Sequence, residues 1–295
     1  MNQIQMKIAQ TPVLGPLVLI AYRARIVLKY LVAMAGQSFT WLLRSRETTN
    51  LTYALKADNK KYLASLIADI TGQSTEQITE YFNEVEKDPA LKQHIQRATR
   101  HSDLAFIADA TPLFGRRIGW YALVRAGKPK IVVETGVDKG LGACVLTAAL
   151  KRNSETGHPG HYYGTDINPQ AGYLLSGEYA AFGKLLIGDS IESLKRFDNQ
   201  VDIFINDSDH SADYEACEYR VIASKLSAGA IILGDNAHCT DKLFNFSMRT
   251  RRHFIFFHEQ PANHWYPGAG IGFSFFRDTS TGHSGAPEAP ICPQA

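Results

Sequence analysis

Five carboxylates carry the chemistry this chain can do. Glu134, Asp166, Asp189, Asp207 and Asp235 each stand at the end of a short apolar run. The run Ile131-Val132-Val133 leads through Glu134 and Thr135 into a turn punctuated by Gly136, Gly140 and Gly142. Glycines there let the backbone turn tightly and approach a ligand. Asp138 and Lys139 break the GxGxxG dinucleotide pattern, and a negative charge at the turn repels a pyrophosphate. It suits a cationic or hydroxyl-rich ligand. A carboxylate at Asp166 can accept from both hydroxyls of a ribose. Gly188-Asp189-Ser190 offers acceptors for the amino edge of an adenine. A single acid after a strand is an ordinary turn. Three in register on successive strands point to a nucleoside site.

A second group follows. Asn206-Asp207-Ser208-Asp209-His210 ends one apolar run and Gly234-Asp235-Asn236 ends the next. Asp207, Asp235 and Asn236 supply hard oxygen ligands of the kind Mg²⁺ or Ca²⁺ takes. His210, three residues after Asp207, can act as a general base near neutral pH. The plainer reading makes the acids helix caps and His210 a packed side chain. Tyr214 and His238 fall near the same place. His264-Trp265-Tyr266 offers rings that could hold a sugar or aromatic acceptor, or merely cover an edge strand.

The elements that must position these residues come in two kinds. Before residue 125 the pattern is helical: one or two helices over 10–45, then apolar stripes over Asp58–Thr71 and from Ile78 to Val85, and a third helix opened by Asp88-Pro89. Ser74 with Gln77 spells a capping box. From Lys130 short apolar runs alternate with helical segments. Strands are expected at Ile131–Glu134, Tyr162–Asp166, Lys184–Ile187, Val201–Asn206, Ala230–Gly234, Phe254–Glu259 and Gly270–Phe276, with helices between the first five. The last two lack a helix between them and should pair antiparallel at one edge. The expected fold is a Rossmann-like, doubly wound α/β sheet of seven strands. Its ligand site lies outside the carboxyl ends of the strands. The expected division is a helical region over 1–125, a nucleoside-binding domain over 126–277 and a disordered tail over 278–295.

Bulk properties narrow the class. The 295 residues are 45% hydrophobic and 20% charged, with a net charge of +2, which makes no case for nucleic acid as a partner. Four scattered cysteines form no CxxC pair, against a disulfide framework or zinc site and in favour of a reducing, cytoplasmic compartment. Asn50-Leu51-Thr52 spells a glycosylation sequon that such a chain would not use. Residues 1–46 contain Lys7, Arg23, Arg25, Lys29, Arg44 and Arg46 and no acid. The apolar stretch from Val13 to Ala35 is interrupted too often to span a bilayer. Two roles stay open for it: packing on the main domain or on a second subunit of a homo-oligomer, or peripheral contact with an anionic membrane.

Glu134-x-Gly136-x-x-x-Gly140, Asp166 and Asp189 resemble the first three motifs of class I S-adenosylmethionine-dependent methyltransferases. The terminal antiparallel pair is also that family's mark. The resemblance covers about residues 120–277. It implies that Glu134, Thr135, Gly136 and Gly140 face the amino-acid part of the cofactor, that Asp166 holds the ribose, and that Asp189 and Ser190 hold the adenine. Asp207, Asp235 and Asn236 match the metal ligands of the cation-dependent O-methyltransferases, implying Mg²⁺. The catechol type has a lysine base where this chain has His210, so the chain is closer to the sugar-modifying, natural-product type. The implied activity is methylation of a hydroxyl on a small-molecule diol, sugar or catechol-like acceptor, with Asp209, Tyr214, His238, His264, Trp265 and Tyr266 as weaker acceptor contacts. Two rivals remain: a metal-independent methyltransferase acting on nitrogen or on a lipid-like acceptor at a membrane, and an inactive nucleoside-binding scaffold.

Overall fold

The computed structural model describes residues 3–277. The tail expected over 278–295 lies outside the described residues. Seven strands form one sheet: β1 (Ile131–Thr135), β2 (His161–Asp166), β3 (Gly183–Ile187), β4 (Val201–Asn206), β5 (Leu226–Asp235), β6 (His253–His258) and β7 (Gly270–Phe275). Their order across the sheet is β3-β2-β1-β4-β5-β7-β6. The first five pair in parallel, and β7 runs antiparallel between β5 and β6. This is the doubly wound sheet with a terminal antiparallel pair that the strand pattern predicts.

The apolar runs are continuous because both faces of the sheet are covered. The centre of β1 is buried throughout, and all of β7 is buried. The order reverses between β1 and β4, so their carboxyl ends diverge into a crevice. At that crevice Gly136 turns with φ 82°, and a Cβ on it would lie 2.0 Å from the Asp207 carbonyl oxygen. Only glycine lets the β1 and β4 ends come this close.

One expected helix is absent. Between β2 and β3 only a six-residue 3-10 turn, Gly177–Phe182, is present. Pro169, Gly172 and Gly177 punctuate that connection, and proline and glycine disfavour a helix interior. The other connections among the first five strands carry α-helices: α7 (Leu141–Glu155) after β1, α8 (Ser190–Lys195) after β3 and α9 (Ala212–Ile222) after β4.

The helices before β1 divide into two groups. In the second, α3 (Ala57–Thr71), α4 (Thr75–Lys87), α5 (Pro89–His101) and α6 (Arg117–Gly127) bury regular apolar stripes. Leu63, Ile67, Ile78, Phe82, Leu91, Ile95 and Trp120 belong to the same core as Val132, Ile203 and Ile205 of the sheet. Their ends are capped as the sequence predicts. Ser74 accepts from the Gln77 amide at 3.1 Å, and Asp88 accepts from Ala90 and Leu91. Only half of the capping box forms, because the Gln77 side chain donates to Glu80 instead. The first group is α1 (Gln3–Ala9) and α2 (Leu14–Arg44). Almost every side chain of α2 is exposed.

Candidate active site

A cavity of about 590 Å³ opens at the carboxyl ends of β1 to β4. That is the size of a small-molecule site. Glu134, Gly136, Val137, Asp138, Asp166, Asp189, Asp207, Asp209 and His210 line it, with Arg117, Ser190 and Tyr214. The acids expected to hold a nucleoside and the expected base thus share one space.

Each acid is held by its surroundings. Glu134 is buried and accepts from the Tyr162 hydroxyl at 2.5 Å. Burial pushes its carboxyl up to about 7, against the lowering effect of that hydrogen bond and of Arg117. A Cβ at Gly142 would lie 2.5 Å from Glu134 Oε1, so the start of α7 makes room for this carboxylate. Asp166 accepts from the amides of Val137 and Asp138 at 3.1 and 2.9 Å and from Asn168 at 2.8 Å. It therefore shapes the glycine turn as well as facing the cavity. A carboxylate has about four lone-pair sites, which leaves capacity for a ligand hydroxyl. Asp189 caps the helix after β3 through the Glu192 amide and accepts from the Tyr214 hydroxyl at 2.9 Å.

Two expected cofactor residues are engaged elsewhere. Thr135 is fully buried, does not line the cavity, and donates to Glu218 at 3.1 Å. Ser190 touches the cavity, but its hydroxyl donates to Glu218 and pairs with Tyr214 at 2.8 Å. Glu218, on α9, also accepts from Asn206 and Ser208, and burial raises its carboxyl. It ties the ends of β1, β3 and β4 together behind the cavity floor.

The reactive cluster holds a cation of its own. Ligand atoms of Asp207, His210 and Asp235 fall within 4.8 Å of one another. Arg116, buried just before α6, lies across Asp235: Nε is 2.5 Å from Oδ1, and Nη2 donates to Oδ2 at 2.7 Å. The same guanidinium is 3.9 Å from Asp207 and 3.6 Å from Glu259, which accepts from the Tyr53 hydroxyl at 2.9 Å. Burial alone would lower the guanidinium, but Asp235, Glu259 and Asp207 hold it well above its usual range. Burial, then the neighbouring Asp235, pushes Asp207 up. Asn236 turns its side-chain amide to His210 Nε2 at 3.0 Å, not to the carboxylates.

Mg²⁺ requires free oxygens around an open centre. The convergence of Asp207, His210 and Asp235 meets the distance requirement, but both oxygens of Asp235 already face Arg116. The residues as placed do not fit Mg²⁺ unless the guanidinium moves.

The weaker acceptor candidates separate. Asp209 lines the cavity, where its carboxylate accepts from the Ser211 amide at 2.7 Å. Tyr214 sits at the Asp189 end. His238 is outside the cavity lining, near Phe256 at 6.1 Å. His264, Trp265 and Tyr266 also lie outside it and pack with Trp41 and Tyr53, with Trp265 and Trp41 rings 5.3 Å apart.

Arg116, Arg117 and Glu259 are the residues sequence reasoning passes over. Arg117 lines the cavity, its ring-stacked guanidinium 5.5 Å from Trp120, and its buried Nε has no partner among the described residues. The only available signal was two adjacent arginines opening an otherwise apolar helix.

Residues 133–237 match the family described as a methyltransferase domain. No curated protein matches the sequence. Similar solved structures include the methyltransferase PaMTH1 of Podospora anserina bound to SAH, at 18% identity and TM-score 0.47, covering 65% of this chain and 89% of that one. The O-methyltransferase TomG of Streptomyces achromogenes, involved in tomaymycin synthesis and in complex with SAM, is 13% identical at TM-score 0.47, with 65% and 91% covered. An O-methyltransferase of Bacillus cereus in complex with SAH is 11% identical at TM-score 0.47, with 64% and 92% covered. Acids stand in place of a phosphate loop at the point where the strand order reverses, and the match to a methyltransferase domain covers those same strand ends.

Proposed function

We propose that the protein is an O-methyltransferase that methylates a hydroxyl of a small diol, sugar or catechol-like acceptor, with His210 as the base. The observation that carries this reading is that Glu134, Asp166 and Asp189 share one cavity with Asp207 and His210. When bound, S-adenosylmethionine supplies an electrophilic methyl group on a sulfonium. Glu134 would face its ammonium and Arg117 its carboxylate, a pairing that uses the unpartnered Arg117 Nε. Asp166 would take the ribose hydroxyls and Asp189 the adenine edge. His210 would accept the acceptor's hydroxyl proton. With its amide oxygen turned to Nε2–H, Asn236 would leave Nδ1 free to take that proton. The remaining contribution is positioning.

In this reading Arg116 is the cation of the reactive cluster, and no step passes through a metal. The convergence of Asp207, His210 and Asp235 within 4.8 Å favours a second reading, in which Mg²⁺ displaces the guanidinium. The test is calorimetric titration of S-adenosylmethionine into the wild type and Asp166→Ala, followed by turnover on a panel of polyols and catechols with EDTA or with Mg²⁺. The proposal expects binding that Asp166→Ala weakens, turnover indifferent to EDTA, and a drop of about 10²–10⁴-fold in kcat for His210→Ala. Turnover abolished by EDTA and restored by Mg²⁺ would establish the second reading. Cofactor binding without turnover on any hydroxyl would refute O-methylation.

A further inference from the structure

The helix α2 is 31 residues long, about 46 Å by its rise per residue, and almost none of it is covered. Large apolar side chains stand out from it: Leu17 is 62% exposed, Ile20 58%, Leu28 55%, Phe39 65% and Leu43 71%. A soluble helix normally turns such residues inward along one stripe. Here Leu17, Ile20, Leu28 and Phe39 share one side of the helix, within about 100° of arc at 3.6 residues per turn, and yet point to solvent.

The charge pattern says what does. Arg23, Arg25 and Lys29 stand in the middle of the helix, Arg44 ends it, and residues 1–46 contain no acid. None of these four cations has an ion pair among the described residues. Apolar side chains with unpaired cations match an anionic lipid surface, which accepts the former at its acyl boundary and the latter at its headgroups. They do not match a second copy of the same helix. Pairing in parallel would set Arg25 and Lys29 against themselves, and pairing antiparallel about residue 27 would set one against the other. Among the described residues no helix is long and apolar enough to cross a membrane, and the proposed contact is one on its surface.

The helix is also tied to the rest of the molecule. Trp41, near its C-terminal end, packs against His264 and Trp265. Ser45 and the Arg46 amide, just beyond, bond to Asp109 at 2.7 and 2.9 Å. A surface held by α2 would therefore be held in a fixed relation to the domain.

We propose that α2 is a peripheral membrane-binding helix that docks the protein on anionic lipid. The inference stands whether or not the acceptor is a hydroxyl. Flotation of the full chain with vesicles of phosphatidylglycerol and phosphatidylcholine, against phosphatidylcholine alone, tests it. The expected result is binding to the anionic vesicles that falls with salt. Each cation near such a surface strengthens binding about fivefold. Reversal of three, by Arg23→Glu, Arg25→Glu and Lys29→Glu together, should lower it by at least about a hundredfold. The side chains are exposed, so the triple variant should keep its melting temperature and its S-adenosylmethionine affinity. A second variant, Leu28→Ser with Leu31→Ser, should weaken binding without changing the charge. No flotation with anionic vesicles, equal binding to neutral ones, or a dimer in solution that buries α2 would each overturn the proposal.

Discussion

Helices α2 and α4 are both strongly apolar in places, yet the structure treats them in opposite ways. Helix α4 buries Ile78, Phe82 and Val85 and exposes Glu76 and Glu80. Its apolar residues recur every three or four positions, so a single face can be covered by α3 and α6. In α2 the apolar residues stay exposed along nearly the whole helix, because apart from the short α1 no element of the described fold packs along it. The difference teaches that apolar content does not decide burial in a helix. The element packed beside it does. Helices α3 to α6 are thereby part of the same core as the seven-stranded sheet, whereas α2 is an outward-facing element fixed at its C-terminal end.

The contrast can be broken most directly by truncation of side chains. Phe82→Ala should cost about 3–5 kcal/mol in urea unfolding, the loss typical of a fully packed aromatic. Leu28→Ala in α2 should cost no more than about 0.5 kcal/mol, as for an exposed site. Equal losses at the two positions would mean that α2 is packed in solution and that the contrast is mistaken.

A comparable effect is expected at Arg116, where the helical region reaches into the site. Arg116→Ala leaves Asp235 and Glu259 buried without their cation, which should cost about 3–5 kcal/mol. Turnover should fall with it, and added Mg²⁺ should not restore it. An Arg116→Ala protein as stable and as active as the wild type would show that the guanidinium is incidental to both.

A smaller contrast sets the buried acid of β1 against the exposed surface of α2. Glu134 stands at about 7 in the folded chain, above the ordinary 4.5. The folded state therefore binds this proton more tightly than the unfolded state. Its contribution to stability is complete below about pH 4.5 and is lost as pH rises through about 7. The loss is of order 3 kcal/mol for a shift of this size. Glu134→Gln should remove that slope from the unfolding profile between pH 4.5 and 7. An identical slope in the variant would place the titration elsewhere.

Much of the cavity lining was legible before the fold. The run Val201–Asn206 reads as a strand and is one, with the same bounds. Strand ends rich in acid and glycine put Glu134, Asp166, Asp189, Asp207 and His210 around one cavity. What the sequence did not show concerns orientation and remote pairing. Thr135 stands beside Glu134, but successive strand residues face opposite sides, and its hydroxyl goes to Glu218. Ser190 is adjacent to Asp189 and yet spends its hydroxyl behind the floor. The cluster expected to centre on Mg²⁺ contains a guanidinium from a residue 119 positions before Asp235.

By itself, the sequence determined the sheet, the crevice and the acids that face it. Those follow from local rules: period two in strands, period near four in helices, glycine where the backbone must turn or come close. Only the tertiary structure decided which cation neutralises Asp235, which hydroxyls Glu218 takes out of the cavity, and that most of α2 stays exposed among the described residues. Each of these is a contact between segments far apart in the chain. Such contacts exist only once packing has closed, and no local pattern encodes them.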